Sequence, residues 1–198
     1  HKPYPSCRFV HSSLDAVIGL IADGLVDATQ IERITTSMSS TGRYIVDDPE
    51  PWTEGKGTMG PRFSAQFNIA VAALHGRRGL EDIYDPEVAQ QYLSREEVLH
   101  LMSRIDVQSD PSIDQNPDDF WKCDLEVRLH DGRVERRVVQ YPLGEPENDL
   151  GTDGLVARFI KMTTMAGFWD ALRAELAAAE LLRVDELPDA GVLPRLYA

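Results

Sequence analysis

Leu125-Glu126-Val127-Arg128-Leu129-His130-Asp131-Gly132-Arg133-Val134-Glu135-Arg136-Arg137-Val138 alternates apolar and charged residues on either side of an Asp-Gly pair. That pairing of alternation and turn is the strongest short signal for a β-hairpin. With Asp131 and Gly132 at the tip, Arg128 falls opposite Glu135 and Glu126 opposite Arg137, while Leu125 meets Val138 and Leu129 meets Val134. One face is then apolar and the other charged, so one side is solvated and helices cover the other.

Upstream of the hairpin, Ile31-Glu32-Arg33-Ile34-Thr35-Thr36-Ser37-Met38 is rich enough in β-branched residues to read as a strand, with Asp27-Ala28-Thr29 capping a short turn before it. Asp106-Val107-Gln108 starts a short extended segment. Helical spacing joins Leu14, Val17, Ile18 and Ile21; Ser12 with Asp15 has the form of a capping box, and Gly24 ends the helix. Ser64 caps a second helix with Phe67, Ala70, Val71 and Leu74 on its apolar face, closed at His75-Gly76. Asp85-Pro86 opens a short third, and Ser94-Arg95-Glu96-Glu97 reads as a further capping box leading into Val98, Leu101, Met102 and Ile105. Residues 39 to 62, rich in Gly, Pro and charge around a lone Trp52, read as a long loop.

Downstream, residues 144 to 148 form a turn. Helices follow through Leu155, Phe159 and Ile160 and through Leu172, Leu176 and Ala179, with a break at Gly167 and a loose tail from Pro188. The whole reads as one α+β domain over residues 1–198, an antiparallel-rich sheet with helices on one face.

Composition narrows the function. The chain has 198 residues, 42% hydrophobic and 27% charged, which is ordinary for a globular protein large enough to hold its own core. A net charge of −13 argues against a nucleic-acid backbone or an anionic membrane as partner. Cys7 and Cys123 are the only cysteines; they make no disulfide framework and fit a reducing, cytoplasmic setting. No apolar run approaches the ~20 residues of a membrane-spanning helix. The phosphate-cradling glycine loop, the G-x-S-x-G elbow and the dinucleotide fingerprint are all missing, so nucleotide and serine-hydrolase chemistry fall away. Cys7 and His11 lack a second pair at zinc spacing, and the acidic run Asp106, Asp110, Asp114, Asp118 and Asp119 lacks the alternation and glycine of a calcium loop.

An anionic substrate of so acidic a protein needs a local basic site. Lys2-Pro3-Tyr4-Pro5-Ser6-Cys7-Arg8-Phe9-Val10-His11 supplies one, crowding an ammonium, a thiol, a guanidinium and an imidazole against a helix N-terminus, where free N–H groups and the macrodipole favour anions. Arg8 would clamp a carboxylate, Lys2 would balance its charge, and His11 or Cys7 would move a proton. The bland reading has Lys2 and Arg8 solvated, Cys7 as a small buried hydrophobe and His11 as a cap-region residue.

The opening segment, followed by His11 and Asp15-Ala16, resembles the one that begins the C-terminal domain of the MmgE/PrpD family. Further matches occur in the same order: Phe63-Ser64 running into Ile69-Ala70-Val71-Ala72-Ala73-Leu74, then His130-Asp131-Gly132, Gly144-Glu145-Pro146-Glu147-Asn148, and Arg158-Phe159. The family includes 2-methylcitrate dehydratase, cis-aconitate decarboxylase and iminodisuccinate epimerase. The resemblance implies an α+β lid domain, an active site between it and a helical N-terminal domain outside this sequence, and a homodimer when full length. It implies a lyase or epimerase acting on a small polycarboxylate, with no metal or organic cofactor, and an isolated chain that is inactive. Lys2, His11 and Cys7 are then the catalytic candidates, and Arg8, Ser6 and Ser64 the substrate-binding ones. A non-catalytic anion-binding or assembly domain is the alternative of a different class.

Overall fold

Among the described residues, four strands form one sheet, in the order β2-β1-β3-β4: β1 (Ile31–Met38), β2 (Ile105–Ser109), β3 (Cys123–Leu129) and β4 (Val134–Val139). The computed structural model describes residues 1–50, 60–187, 189 and 191; Trp52 and most of the expected tail from Pro188 lie outside the described residues. β1 pairs antiparallel with β3, which pairs antiparallel with β4, while β2 adds to β1 in parallel. The sheet is therefore mixed, with antiparallel pairing predominant, within an α+β fold. A parallel neighbour requires a crossover, and residues 39–104 carry it through helices.

The hairpin forms where its sequence places it, one residue out of the expected register. Leu129 donates its N–H to Arg133 O and Gly132 donates to Leu129 O, both at 2.9 Å, and Gly132 has φ of 87°. This is a three-residue loop closed by a left-handed glycine, not a two-residue tip. Leu125 consequently lies opposite Arg137, Glu126 opposite Arg136 and Arg128 opposite Val134. Side chains alternate along a strand, so the slip exchanges the faces of β4. Val134 and Val138 are 44% and 51% exposed, whereas Cys123, Leu125, Val127 and Leu129 of β3 are buried.

The reason lies in the helix beneath. Arg137 reaches Asp23 at 2.6 Å, and its guanidinium passes so close to Gly19 that a Cβ there would stand 2.1 Å from Nη1. A glycine in that helix gives the arginine stem a path to an anion, which an inward valine would not use. On the other face Arg136 pairs with Asp124.

That helix, α1 (His11–Ala22), ends as its glycine demands: Gly24 has φ of 72°, its N–H reaches Ile21 O and that of Leu25 reaches Leu20 O. Its start corrects the expectation, because Val10 is the N-cap and no side chain caps the end. Ser12 instead bonds Trp121 O, and Ser13 Oγ lies 2.7 Å from Thr36 Oγ1 of β1.

The expected loop from 39 to 62 contains α2 (Ser40–Val46), capped by Ser39 Oγ on the Gly42 N–H at 3.1 Å, and α3 (Gly60–Phe63). α4 (Ala65–Asp82) is capped by Ser64 as predicted, but it does not stop at Gly76; that residue adopts φ 62°, ψ −157°, and the helix resumes beyond the kink. Residues 65–73 of α4 are all buried. That first half of the helix is enclosed on every side, and its alanines let α1 and α6 (Glu96–Met102) approach closely. α5 (Pro86–Leu93) opens at Asp85-Pro86. Ser94 donates to Gln91 O at 2.7 Å, closing α5 instead of boxing α6. A short α7 (Pro111–Asp114) follows β2.

The chain divides into two compact units, His1–Asn148 and Asp149–Ala198. In the second, α8 (Gly151–Met165) and α9 (Ala171–Leu181) are separated by Gly167 at φ 69° and share a small core of Trp169, Ala174 and Ala177 with Phe159 and Ile160. Among the described residues no helix is long and apolar enough to cross a membrane.

Candidate active site

The opening segment is fastened on both sides before it enters α1. Cys7 donates its N–H to Arg62 O at 2.8 Å, next to the α3–α4 junction, and the Tyr84 hydroxyl approaches Pro3 O at 3.5 Å. The turn from Pro142 to Asn148 holds the other side. Gly144, at φ 90°, lies so close to the segment that a Cβ there would stand 2.5 Å from His1 O. The expected turn is therefore a wall of the candidate site.

Two carboxylates do the fastening. Asp15 accepts from the Tyr4 hydroxyl through Oδ1 and from the Leu143 N–H through Oδ2 at 2.6 Å. Burial and then the Asp15 charge push the Tyr4 phenol well above its ordinary range. Asp15 is thus an anchor across three segments and not half of a capping box. Glu145 accepts from Arg8 Nε at 2.8 Å and also pairs with Nη2. Arg8 Nη1 donates to His1 O at 2.9 Å and to Leu143 O at 3.2 Å, and lies 3.2 Å from His11 Nδ1. The Trp121 ring stands 6.0 Å from the guanidinium carbon.

His11 is 0% exposed. A guanidinium can only donate, so Nδ1 is the acceptor and Nε2, 3.3 Å from Ser6 O, carries the hydrogen. The Tyr4 ring meets it edge-on at 5.1 Å. Arg8, His11 and Ser6 are therefore in one bonded group. A substrate carboxylate reaching Arg8 would share it with Glu145.

The remaining candidates divide by environment. Lys2 is exposed and Cys7 is a half-buried free thiol. Ser6 is 1% exposed, and its Oγ has no hydrogen-bond partner among the described residues. Ser64 donates to Asp48 O and accepts from the Phe67 N–H at 3.1 Å, so its hydroxyl is engaged in capping. Cys123 is sealed beneath the sheet, where burial pushes its thiol up to about 12. A separate open cavity of about 400 Å³ is lined by Ser40, Arg43, Tyr44, Asp47 and Ser109 and by none of the six candidates. Among the described residues no group of three His, Cys, Asp or Glu is placed to hold a metal ion; of the acidic run, Asp110 caps α7, and Asp106, Asp114 and Asp119 pair with Arg33, Ser40 and Lys122.

The profile of the MmgE/PrpD C-terminal domain matches residues 4–182. The chain belongs to the MmgE/PrpD family. No curated protein matches it in a sequence search. The span matched to the MmgE/PrpD C-terminal domain takes in Ser6, Cys7, Arg8, His11, Ser64 and the turn bearing Glu145, and begins just after Lys2. Glu145, Asp15 and Tyr4 hold the opening segment in place, and local pattern reading did not single them out for that role. Glu145 is 137 residues from its partner Arg8, and the only sequence signal for it is the ordered series of family-like motifs.

Proposed function

We propose that this chain is the C-terminal part of a MmgE/PrpD-like lyase, of the 2-methylcitrate dehydratase kind, that removes a proton next to a carboxylate of a small polycarboxylate. The family match over residues 4–182 carries this reading. Loss of such a proton places negative charge on the carboxylate oxygens, and a nearby ammonium stabilises that charge. Lys2 is the exposed cation at the edge of the clamped segment and takes this role. Cys7, half-buried on the same segment, is the proton-transfer candidate with access. His11, enclosed, acts by holding the segment through Ser6 O. The opposite wall comes from a helical N-terminal domain outside this sequence, and the complete enzyme is a cytoplasmic homodimer. Epimerisation of an iminodisuccinate-like acid shares the first step and differs in returning the proton to the opposite face.

A second reading, a non-catalytic anion-binding or assembly domain, is favoured by the pairing of Arg8 with Glu145 and the burial of His11. The two part on one experiment. The intact two-domain protein is incubated in deuterated water with citrate-like and iminodicarboxylate acids, and exchange at the carbon beside a carboxylate is followed by NMR. The lyase or epimerase reading expects exchange with at least one acid, lowered about 10²–10³-fold in Lys2→Ala, the usual loss for removing a charge-stabilising donor. Binding without exchange establishes the second reading.

A further inference from the structure

The turn that carries Glu145 has a task that neither the fold nor the proposed reaction assigns. We infer that Glu145 is a positioning residue of the site, acting through Arg8 to fix the tautomer and orientation of the buried His11. The observation is a continuous chain of bonds. Glu145 Oε1 takes Nε and Nη2 of Arg8; the third nitrogen, Nη1, then stands 3.2 Å from His11 Nδ1 and bonds two backbone carbonyls. On its far side the imidazole faces Ser6 O at 3.3 Å.

A guanidinium is planar, with donors in a fixed fork, so holding Nε and Nη2 against one carboxylate oxygen fixes the direction in which Nη1 points. Nη1 has two hydrogens for three acceptors, so the one toward Nδ1 is shared with a backbone carbonyl; because Nη1 can only donate, the imidazole hydrogen lies on Nε2, where it meets the Ser6 carbonyl. The identity of the ring nitrogen that bears the hydrogen is thereby set from a surface turn 137 residues away in sequence. Without Glu145, Arg8 keeps its charge and the carbonyl bonds of Nη1 but loses the hold on Nε and Nη2 that fixes the tilt of its plane about them. The imidazole then samples both tautomers, and the segment between Ser6 and Lys2 loses its inner tether.

The inference rests on the proposed reading for the importance of the segment to catalysis, but its measurement does not involve turnover. The imidazole nitrogens of the folded chain are observed by long-range ¹H–¹⁵N NMR, with His11 assigned by the signal lost in His11→Gln. The wild type should show a single Nε2–H tautomer at His11. Glu145→Ala should replace that pattern with averaged nitrogen shifts, leaving the signals of His75, His100 and His130 in place as a check on folding. Arg8→Met should give the same averaging, and the double variant no more than either alone. Glu145→Gln, which retains a neutral acceptor and the size of the side chain, should give a smaller change in the same direction and serves if the alanine variant does not fold. A wild-type His11 with hydrogen on Nδ1, or a folded Glu145 variant with an unchanged tautomer, overturns the inference. Either result leaves the exchange experiment on Lys2 to decide the reaction.

Discussion

Replacing Asp15 by alanine removes the acceptor of two donors at once. The Tyr4 hydroxyl, on a side chain 1% exposed, and the Leu143 N–H both lose their partner. A buried donor left unsatisfied costs about 1–3 kcal/mol, and the half-buried position of the carboxylate allows water to relieve part of it, so a total of about 3 kcal/mol is expected. For a chain of this length that corresponds to a melting temperature lower by about 6–12 °C. Asp15→Asn retains one carbonyl oxygen and should lose about half as much.

The assay is urea denaturation followed by circular dichroism, with Tyr4→Phe made in both backgrounds. In the wild type, Tyr4→Phe should cost about 1.5–3 kcal/mol, because a bond to a charged acceptor is lost. In the Asp15→Ala background it should cost nothing or stabilise, because phenylalanine removes a hydroxyl that has no partner. A loss below about 1 kcal/mol for Asp15→Ala, or equal costs of Tyr4→Phe in both backgrounds, would refute the account of Asp15 as an anchor.

The two thiols should behave oppositely toward a thiol reagent: half-buried Cys7 reacts in the native protein, and buried Cys123 only after unfolding, so equal native rates would contradict the packing. Because the folded Cys123 thiol is raised to about 12, the unfolded chain releases its proton first; the stability from this group is fully present below about pH 9 and declines above it by about 1.4 kcal/mol per pH unit. Urea midpoints measured from about pH 8 to about pH 10 should show a shallower decline in Cys123→Ala. The hairpin register is tested by two like substitutions. Val138→Thr, on the exposed face, should change stability by less than about 0.5 kcal/mol, whereas Val127→Thr, buried, should cost about 1–3 kcal/mol, and similar costs would restore the register read from the alternation.

Features set by neighbouring residues were legible in the sequence. The Asp27 and Ser64 caps, the Asp85-Pro86 helix start and the Gly24 and Gly167 stops each depend on a few adjacent side chains, and each forms as read. The register of β4 was not legible, because Arg137 is drawn inward by Asp23, 114 residues away, over a glycine in another helix. Ser12-Asp15 and Ser94-Glu97 have capping-box spelling, but tertiary partners claimed the side chain at Asp15 and the preceding helix claimed Ser94. The concentration of reactive groups in the opening segment was visible at once. That Arg8 and His11 face each other and that Glu145 controls one of them depends on a turn nearly the length of the first unit away, for which alternation and spacing carry no information.

β1 is the second strand from the edge of the sheet, with β2 on one side and β3 on the other, and both are made long after it. Its antiparallel partner begins 85 residues beyond its end, an interval on the order of ten seconds at cellular synthesis rates. Until residue 109 has emerged, Ile31, Ile34 and Met38, all buried in the finished fold, belong to a strand with two open edges, and from then until residue 123 the edge awaiting β3 stays open. The β3–β4 hairpin, by contrast, has a three-residue loop and closes within microseconds of being available. Assembly of the sheet is therefore limited by the capture of an early strand by a late hairpin, and the nascent chain is most vulnerable to strand-edge association in the interval before residue 123 emerges.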